Sequence, residues 1–294
     1  MVYESPVRSM HIFLLSERSA IVLFGSARSR AKYGGGVEVR LDGYRVLVTA
    51  GANGIGLEIA RAFVSSGAKV HVCDVDRSAL AALASESVRI SSTFCDVANR
   101  DQVAAMMDAA VGALGGLDVL INNAGIAGPT GRVDRIPPEE WDRTIAVNIT
   151  GQFNVTRLAV PELARGGRSS IVCIASAAGR LAFPKRSAYA ASKWAVVGFM
   201  KTIAAELGDL GVRANAILPG MVDGPRLQSV LAAKALEAGL TTEEVVKRAT
   251  AGLSTKSLVA PGKIAATALF LASELASAIN GQGIAVDNDT HYMI

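Results

Sequence analysis

The chain has 294 residues, of which 50% are hydrophobic and 19% are charged, enough apolar material to fill the core of one α/β domain. The formal net charge of +4 is too small to indicate a nucleic-acid partner, and no apolar run approaches the ~20 residues that span a bilayer, so we expect no membrane segment. Three scattered cysteines without a Cys-x-x-Cys motif, and no cluster of metal-ligating side chains, predict a cytoplasmic protein with reduced thiols and no metal.

The first 40 residues differ in composition from the rest of the chain. They are rich in Arg and Ser and lack the alternation of apolar segments found later. We expect residues 1–40 to be an N-terminal extension that is disordered or an artefact of a start site assigned too early, although a basic segment is also typical of a mitochondrial-type targeting peptide. In the start-site interpretation, Gly34-Gly35-Gly36 is translated from a purine-rich ribosome-binding stretch and Val37 is the initiator.

Beyond Tyr44, short β-branched runs alternate with Ala-rich helical stretches. This alternation is typical of an α/β fold with a doubly wound parallel sheet of about seven strands and helices on both faces. We expect a single domain over residues 41–294, with a substrate lid in the polar and helical segment 221–258. The predicted strands are Arg45–Thr49, Lys69–Cys73, Arg89–Phe94, Val119–Ile121, Ser170–Ile174, Arg213–Ile217 and Gly283–Val286. The predicted helices cover residues 55–66, 77–85, 100–114, 138–163, 188–209 and 261–273.

The first predicted strand opens into a glycine-rich segment, Ala50-Gly51-Ala52-Asn53-Gly54-Ile55-Gly56, and a predicted helix follows it. Glycines let the backbone approach a pyrophosphate, and the free N–H groups and dipole of a helix N-terminus favour an anion. A glycine-rich turn alone is a weak signal. Its place at the start of an alternating α/β chain favours a dinucleotide-binding turn.

The second predicted strand leads into Asp74, about 20 residues after this turn. A carboxylate there can accept hydrogen bonds from the hydroxyls of an adenosine ribose and would repel a 2′-phosphate. Val75 is apolar, the glycine-rich segment contains no Lys or Arg, and Arg77 is expected to belong to the next helix. We therefore predict NAD rather than NADP as the cofactor. The other interpretation, that Asp74 only caps the following turn, stays open.

The segment Tyr189-Ala190-Ala191-Ser192-Lys193 carries the predicted chemistry. Residues four apart share a helix face, so Tyr189 and Lys193 would point the same way. A phenol ordinarily ionises near pH ~10, and a neighbouring ammonium favours the phenolate and lowers that value. Tyr189 would then act as general acid and base, and Lys193 could also hold the nicotinamide ribose.

Two further polar residues are expected near this pair. Ser176, thirteen residues before Tyr189, follows an apolar strand, so its hydroxyl should emerge at the carboxyl edge of the sheet, where ligands bind in open α/β sheets. There it could hydrogen-bond a substrate oxygen. Asn148 is expected on the long helix behind the site. Taken singly, Ser176 could merely form a strand-end turn and Asn148 could be an amide on a helix face.

These segments resemble the short-chain dehydrogenases/reductases. Thr49–Gly56 is similar to the T-G-x-x-x-G-x-G signature of that family, with Ala50 where the first glycine is usual; we expect Gly51, which follows at once, to keep the turn flexible. Cys95-Asp96-Val97 resembles the family's adenine-contacting Asp-Val pair. Asn122-Asn123-Ala124-Gly125 resembles its N-N-A-G motif, which we interpret as stabilising the central sheet and lining the adenosine ribose.

The resemblance extends over about residues 41–288 and implies a Rossmann-type fold. It implies that Asn148 holds a water that links the lysine to solvent for proton relay. Pro219-Gly220-Met221-Val222 resembles the family's P-G loop beside the nicotinamide, with a backbone contact from Val222 to the carboxamide, and Gly224 stands where a threonine is usual. The family commonly forms tetramers through its long helices, so we expect a homotetramer or homodimer. The predicted cofactor-binding residues are Gly51, Asn53, Gly54, Ile55, Gly56, Asp74, Asp96, Val97, Asn123, Ala124, Gly125, Tyr189, Lys193, Pro219, Gly220 and Val222.

The combination predicts an NAD-dependent oxidoreductase that moves a hydride between the cofactor and a small-molecule secondary alcohol or ketone. The predicted catalytic residues are Asn148, Ser176, Tyr189 and Lys193. One alternative is an NADP-dependent 3-oxoacyl-carrier reductase, which Asp74 disfavours. Another is a non-catalytic dinucleotide-sensing or scaffold protein, which has no need of a tuned phenol. The sequence does not fix the substrate: Arg226 either binds an anionic group of it, or pairs with Asp223 or lies in solvent.

Overall fold

The computed structural model of the protein describes residues 39–86, 89–167 and 169–291, all within one compact unit that begins at Val39. The predicted extension, residues 1–40, lies outside the described residues except for Val39 and Arg40. None of the helices in the described ranges is long and apolar enough to cross a membrane.

Seven parallel strands form one sheet. They are β1 (Arg45–Thr49), β2 (Lys69–Asp74), β3 (Ile90–Phe94), β4 (Val119–Asn122), β5 (Ser169–Ile174), β6 (Val212–Pro219) and β7 (Gly283–Val286). Their order across the sheet is β3-β2-β1-β4-β5-β6-β7. The chain thus winds outward in both directions from the centre, which confirms the predicted doubly wound sheet and places the crevice for a ligand at the carboxyl ends of β1 and β4.

Helices cover both faces of this sheet. They are α1 (Gly54–Ser65), α2 (Arg77–Glu86), α3 (Arg100–Leu114), α4 (Pro138–Ile145), α5 (Gly151–Ala164), α6 (Ser187–Glu206), α7 (Pro225–Ala238), α8 (Thr242–Thr250) and α9 (Pro261–Ala272). Two apolar cores result, because successive side chains of a strand point to opposite faces. On β1, Leu47 packs into the core that includes α3, α5 and α6, whereas Val46 and Val48 pack into the core that includes α1 and α9.

Residues 138–164 are helical throughout, close to the predicted helix over 138–163, but the helix contains a π-helical turn that was not predicted. Helix α4 ends at Ile145, and a π-helical turn over Ala146–Thr150 separates it from α5. The amide of Gly151 donates to the carbonyl of Ala146, five residues back, instead of four. Such turns bulge the backbone and occur often at functional sites. Here the turn carries Asn148.

The predicted lid segment, residues 221–258, contains α7 and α8. These helices share a small apolar cluster of Leu231, Ala235 and Val245. The two ends of the segment are joined by a parallel bridge between Val222 and Val259. A surface cavity of about 710 Å³ lies within it, lined by Gln228, by residues of α8 and by the loop that follows α8. Its role as a lid stays a prediction.

Candidate active site

Lys193 lies buried in α6 with its ammonium directed at the carboxyl end of β5. Its Nζ donates to the carbonyl of Ile174 at 2.9 Å. Loss of hydration on burial lowers the pKa of Lys193 to about 8. The Nζ atom is 5.8 Å from the centre of the Tyr189 ring, so the two side chains share one helix face.

Asn148 fastens the π-helical turn to two neighbouring segments. Its Oδ1 accepts from the amide of Ile126 at 2.7 Å, and its Nδ2 donates to the carbonyl of Ile126 and to Oγ of Ser192, each at 2.9 Å. Ser192 in turn donates to the carbonyl of Tyr189 at 2.7 Å. Asn148 thus connects the loop after β4 with the helix that carries Tyr189.

Gly125 is placed where a larger residue would fill the site. A Cβ atom there would lie 3.3 Å from Nζ of Lys193 and 3.4 Å from Oδ1 of Asn148, which is closer than ordinary van der Waals contact. The lysine, the asparagine and the Asn123-Ala124-Gly125 backbone therefore meet at one point of the carboxyl edge.

Ser176 lies two residues beyond Ile174, whose carbonyl binds Lys193. Its Oγ accepts from the amide of Ala178 at 3.1 Å and so caps a short 3₁₀ turn over Ala177–Gly179. As an acceptor in this contact, the hydroxyl keeps its own proton for another partner. The predicted strand-end turn is therefore present together with a hydroxyl that can still donate. Gly179 lies against the backbone of Lys193, because a Cβ there would be 2.8 Å from its carbonyl oxygen.

Thr49, at the end of β1, organises the cofactor end of the crevice. Its Oγ1 accepts from the amides of Asn123 and Ala124, both at 3.0 Å. Asn123 donates from Nδ2 to the carbonyls of Thr49 and Ala50, also at 3.0 Å. Gly56 fits beneath this network only without a side chain, since its Cβ would lie 2.1 Å from the carbonyl oxygen of Ala50.

The expectation that Gly51 gives the glycine-rich turn its flexibility is corrected by the structure. Ala50, with φ +49, is left-handed, as is Gly54 further along the turn, whereas Gly51 has an ordinary φ. Gly51 is required for packing instead, because its Cβ would lie 2.7 Å from the Val72 side chain. Ala50, which stands in the position of the missing first glycine, therefore carries backbone strain that a glycine would not.

The first turn of α1 is open to an anion. Asn53 precedes the helix in an extended conformation and makes no side-chain cap, and no acidic residue lies in the first turn. Gly54, with φ +53, has open space where its side chain would be. Backbone N–H groups and the helix dipole at this point fit a pyrophosphate.

Two carboxylates face the end of β2. Asp74 accepts from the amides of Ala52 and Asp76, both at 3.1 Å, so it caps the following turn and also reaches the glycine-rich segment. Asp76 accepts from Nδ2 of Asn53 at 3.2 Å, and hydrogen bonds led by that from the Ser78 side chain lower the pKa of Asp76. Arg77 stacks over Phe94, 3.8 Å from the ring centre. Within the described ranges, no group of three His, Cys, Asp or Glu side chains could hold a metal.

The remaining predicted cofactor residues lie at the rim of the crevice. Asp96 pairs with Arg143 at 2.9 Å, and the carbonyl of Val97 accepts from Nδ2 of Asn154 at 3.0 Å. Pro219 ends β6, Gly220 follows it against the backbone of Asp287, and Val222 begins the lid segment at its bridge to Val259. The side chain of Arg226 lies outside the described residues, so its predicted role stays open.

Several residues at this site were not predicted from the sequence. Thr49 was named only as part of a motif, although its hydroxyl joins β1 to the segment after β4. Asp76 and Ser192 were passed over because short polar residues near turns and on helices are common. Arg180 contacts Asp287, 107 residues away in the chain, and no local pattern indicates such a pairing.

Comparisons with known proteins extend over nearly all of the described chain. A family profile described as enoyl-(acyl carrier protein) reductase matches residues 49–291. D-beta-hydroxybutyrate dehydrogenase of Cupriavidus necator is 37% identical over 250 residues, which cover 82% of this chain and 95% of that protein.

Two solved structures share both the fold and the sequence similarity. Actinorhodin polyketide ketoreductase with NADPH has a TM-score of 0.79 and 33% identity, covering 85% of this chain and 98% of its own. NAD⁺-bound xylitol dehydrogenase has a TM-score of 0.77 and 27% identity, covering 83% of this chain and 98% of its own. The chain therefore belongs to the short-chain dehydrogenase/reductase family of oxidoreductases that act on alcohols and ketones.

Proposed function

We propose that the protein is an NAD-dependent dehydrogenase of small secondary alcohols that also reduces the corresponding ketones. The observation that carries this proposal is the buried ammonium of Lys193 beside Tyr189. Burying an ammonium costs free energy, and here the ammonium lies 5.8 Å from the centre of the Tyr189 ring, on the same helix face as the phenol that would act as acid and base. A scaffold or sensor protein would gain nothing from this costly arrangement.

In the oxidative direction, Tyr189 takes the proton of the substrate hydroxyl as the hydride leaves the carbinol carbon. A bound nicotinamide supplies the acceptor for that hydride. Ser176 donates a hydrogen bond to the same substrate oxygen, because its Oγ accepts from Ala178 and its proton is available. Ketone reduction reverses these roles, with Tyr189 returning the proton as a general acid.

Lys193 and Asn148 would support the proton transfer. Lys193 uses one of its three N–H donors for the hydrogen bond to the carbonyl of Ile174, so two donors remain for the nicotinamide ribose and a water. Both N–H donors of Asn148 are bonded within the protein, to Ile126 and Ser192. A relay water would therefore be held by the acceptor atoms of Asn148.

The preference for NAD is inferred from charge at the end of β2. Asp74 and Asp76 present two carboxylates there, and the nearest cation, Arg77, is stacked on Phe94. A ribose 2′-phosphate at this position would meet negative charge without a partner. The pyrophosphate would lie on the open first turn of α1.

A second candidate is an NADP-dependent 3-oxoacyl-carrier reductase. The similarity to a ketoreductase in complex with NADPH favours it, and the carboxylates at the end of β2 oppose it. The two candidates differ in the cofactor that supports turnover.

We further propose that the protein is a cytoplasmic homotetramer or homodimer. Phe153 of α5 and Trp194 of α6 are large aromatic side chains that remain exposed in the isolated chain, at 43% and 53%. Exposed aromatic surface of this kind is common in interfaces. Light scattering on the purified protein measures the assembly directly.

The proposed reaction is tested by following nicotinamide absorbance with a panel of secondary alcohols and ketones, each with NAD(H) and NADP(H). Turnover with NAD(H) and at least about tenfold slower turnover with NADP(H) is the expected result. A preference for NADP(H) would favour the second candidate. Tight NADH binding with no turnover of any panel member would oppose both.

A further inference from the structure

Arg180 forms an ion pair with Asp287 that the proposed chemistry does not use. It follows directly on the short turn capped by Ser176. The Arg180 amide donates to the carbonyl of Ala177 at 3.0 Å, so its backbone is part of the same turn. Its Nη2 donates to Oδ2 of Asp287 and, at 3.0 Å, to the carbonyl of Thr290.

Asp287 depends on this contact because its side chain is only 4% exposed. Its Oδ1 accepts from the amide of Asp289 at 3.2 Å, and Arg180 is its ion-pair partner. The backbone of Asp287 also lies against Gly220, where a Cβ would be 2.8 Å from the Cα of Asp287. The pair therefore joins the turn of Ser176 to the loop that begins the lid segment.

Asp287 opens a tight turn, Asp287–Thr290, which we call the C-terminal clamp. Asn288 and Asp289 both have left-handed backbones, with φ +55 and +56. The clamp grips the far end of the lid segment: the amide of Ser254 donates to the carbonyl of Asn288 at 3.1 Å, and Nδ2 of Asn288 donates to the carbonyl of Ser257 at 2.7 Å. It thus contacts both ends of the lid segment and the catalytic turn at once.

We infer that Arg180 is a positioning residue. Through Asp287 and the C-terminal clamp, it fixes the position of the Ser176 hydroxyl relative to the two ends of the lid segment. This inference rests on the proposed function for the role of Ser176. Its physical basis is that a buried carboxylate with one cationic partner holds that partner firmly, because separating them leaves an unpaired charge in a poorly hydrated place. Misplacement of a reacting group by about 1 Å can cost roughly 100-fold in rate.

The chain offers a matched control at the opposite edge of the sheet. Arg45 and Asp118 form a similarly shielded pair, with side-chain exposures of 27% and 9% against 38% and 4% for Arg180 and Asp287. Arg45 lies at the start of β1, where parallel strands place their amino ends, far from the carboxyl edge. Loss of either pair removes a buried ionic contact, but only one of the two touches the candidate site.

The kinetic test compares Arg180→Ala, Arg180→Lys, Arg180→Ala/Asp287→Ala and Arg45→Ala with the wild type in kcat, KM and Tm. We expect Arg180→Ala to lower kcat by at least about tenfold, with partial recovery in Arg180→Lys. The double variant should regain Tm, because no buried carboxylate is left unpaired, while its kcat stays low. Arg45→Ala should lose Tm and keep kcat within about twofold. Recovery of kcat together with Tm in the double variant would overturn the inference, since it would show a purely structural role.

A second measurement does not depend on turnover. The amide of Leu181 donates to the carbonyl of Ala177 at 3.0 Å, so it reports on the turn capped by Ser176. Hydrogen exchange should accelerate at the amides of Leu181 and Ser254 in Arg180→Ala and remain unchanged there in Arg45→Ala. Unchanged exchange at both amides in Arg180→Ala would contradict the inference even in an active enzyme. If the wild type turns over no panel member, the proposed function fails, and the exchange result alone decides whether Arg180 couples the Ser176 turn to the lid segment.

Discussion

The buried ammonium of Lys193 destabilises the folded protein, although the proposed chemistry requires it. Its pKa in the folded protein is about 8, against 10.5 for the ordinary side chain. A lowered lysine pKa means that folding disfavours the ammonium, so the cost is fully present below pH about 8 and fades as the pH rises towards 10.5. We predict that Lys193→Met stabilises the cofactor-free protein by up to about 3 kcal/mol at pH 7 and by much less at pH 10, while abolishing turnover.

Denaturant unfolding at both pH values measures this effect. Lys201→Met is the control, because Lys201 lies on the same helix but is exposed, and its replacement should change the free energy of unfolding by less than about 0.5 kcal/mol at either pH. A Lys193→Met protein that is less stable than the wild type at pH 7 would show that the ammonium is not under strain.

Ala50 and Gly54 make a matched pair of backbone tests in one turn. Both have left-handed backbones, with φ +49 and +53, but only Gly54 has the residue that tolerates it. We predict that Ala50→Gly raises the free energy of unfolding by about 1 kcal/mol, and that Gly54→Ala lowers it by about 1 kcal/mol through backbone strain. If thermal or denaturant unfolding shows that both substitutions change the free energy of unfolding in the same direction, the left-handed backbone is not the cause of the effects.

Individual residues of the site were predictable from the sequence to different degrees. Tyr189, Lys193, Asn148 and Ser176 were predicted as a set because they stand in the order and spacing of the family that the chain resembles, and their catalytic roles stay predictions. Gly51 was expected to keep the turn flexible, but the left-handed position is Ala50, because the sequence shows where glycine is present and not which backbone position turns left-handed.

Strands were predicted well, because runs of apolar and β-branched residues define them locally. The bounds of β1 and β7 were predicted without error, and the other strands differ by a few residues at their ends. The π-helical turn at Ala146–Thr150 was not predicted, because such turns are rare and a prediction from apolar periodicity assumes 3.6 residues per turn throughout. Yet that turn places Asn148 against Ile126 and Ser192.

The pairing of β2 with β3 contains a buried histidine that makes the sheet edge sensitive to acid. Nδ1 of His71 contacts the Ser91 hydroxyl at 2.8 Å, and Nε2 contacts the Thr93 hydroxyl at 3.0 Å. Burial lowers the pKa of His71 to about 4 from 6.5. Because folding disfavours the imidazolium, its contribution to stability is complete above pH about 6.5 and is lost as the pH falls towards 4.

We predict that unfolding free energies of the wild type decrease by about 3 kcal/mol between pH 6.5 and 4 through this residue alone. His71→Gln, which keeps polar atoms without a titrating ring, should lose that part of the acid dependence. Identical acid dependence in the two proteins would place the sensitivity elsewhere.

In the whole molecule, the sheet brings the carboxylates of Asp74 and Asp76 to the proposed cofactor end, and the proposed preference for NAD rests on them. A ligand that binds only the folded state raises Tm with its concentration. We predict that NAD⁺ raises the Tm of the wild type more than NADP⁺ at equal concentration, and that Asp74→Ser narrows or reverses the difference. An unchanged preference in Asp74→Ser would assign the choice to other residues, Asp76 first.

Side-chain contacts between segments far apart in the chain could not be predicted from the sequence. The alternation of strands and helices predicted the sheet, because the apolar pattern of each segment indicates which of its own residues are buried. Arg180 with Asp287 and Thr49 with Asn123 were not predictable, because each pair joins segments far apart in the chain and depends on side-chain geometry that only the assembled fold defines.

Comparing Tyr189→Phe with Tyr44→Phe tests whether Tyr189 transfers the proton. Tyr44 is buried and its hydroxyl contacts Glu274, and neither Tyr44 nor Glu274 is part of the candidate site. With NAD⁺ and the best alcohol of the panel, we predict that Tyr189→Phe loses at least about 100-fold in kcat while its affinity for NADH stays within about twofold of the wild type, and that Tyr44→Phe turns over normally. A Tyr189→Phe protein that keeps more than about a tenth of the wild-type kcat would contradict the account, since removal of an acid–base group costs roughly 100-fold or more.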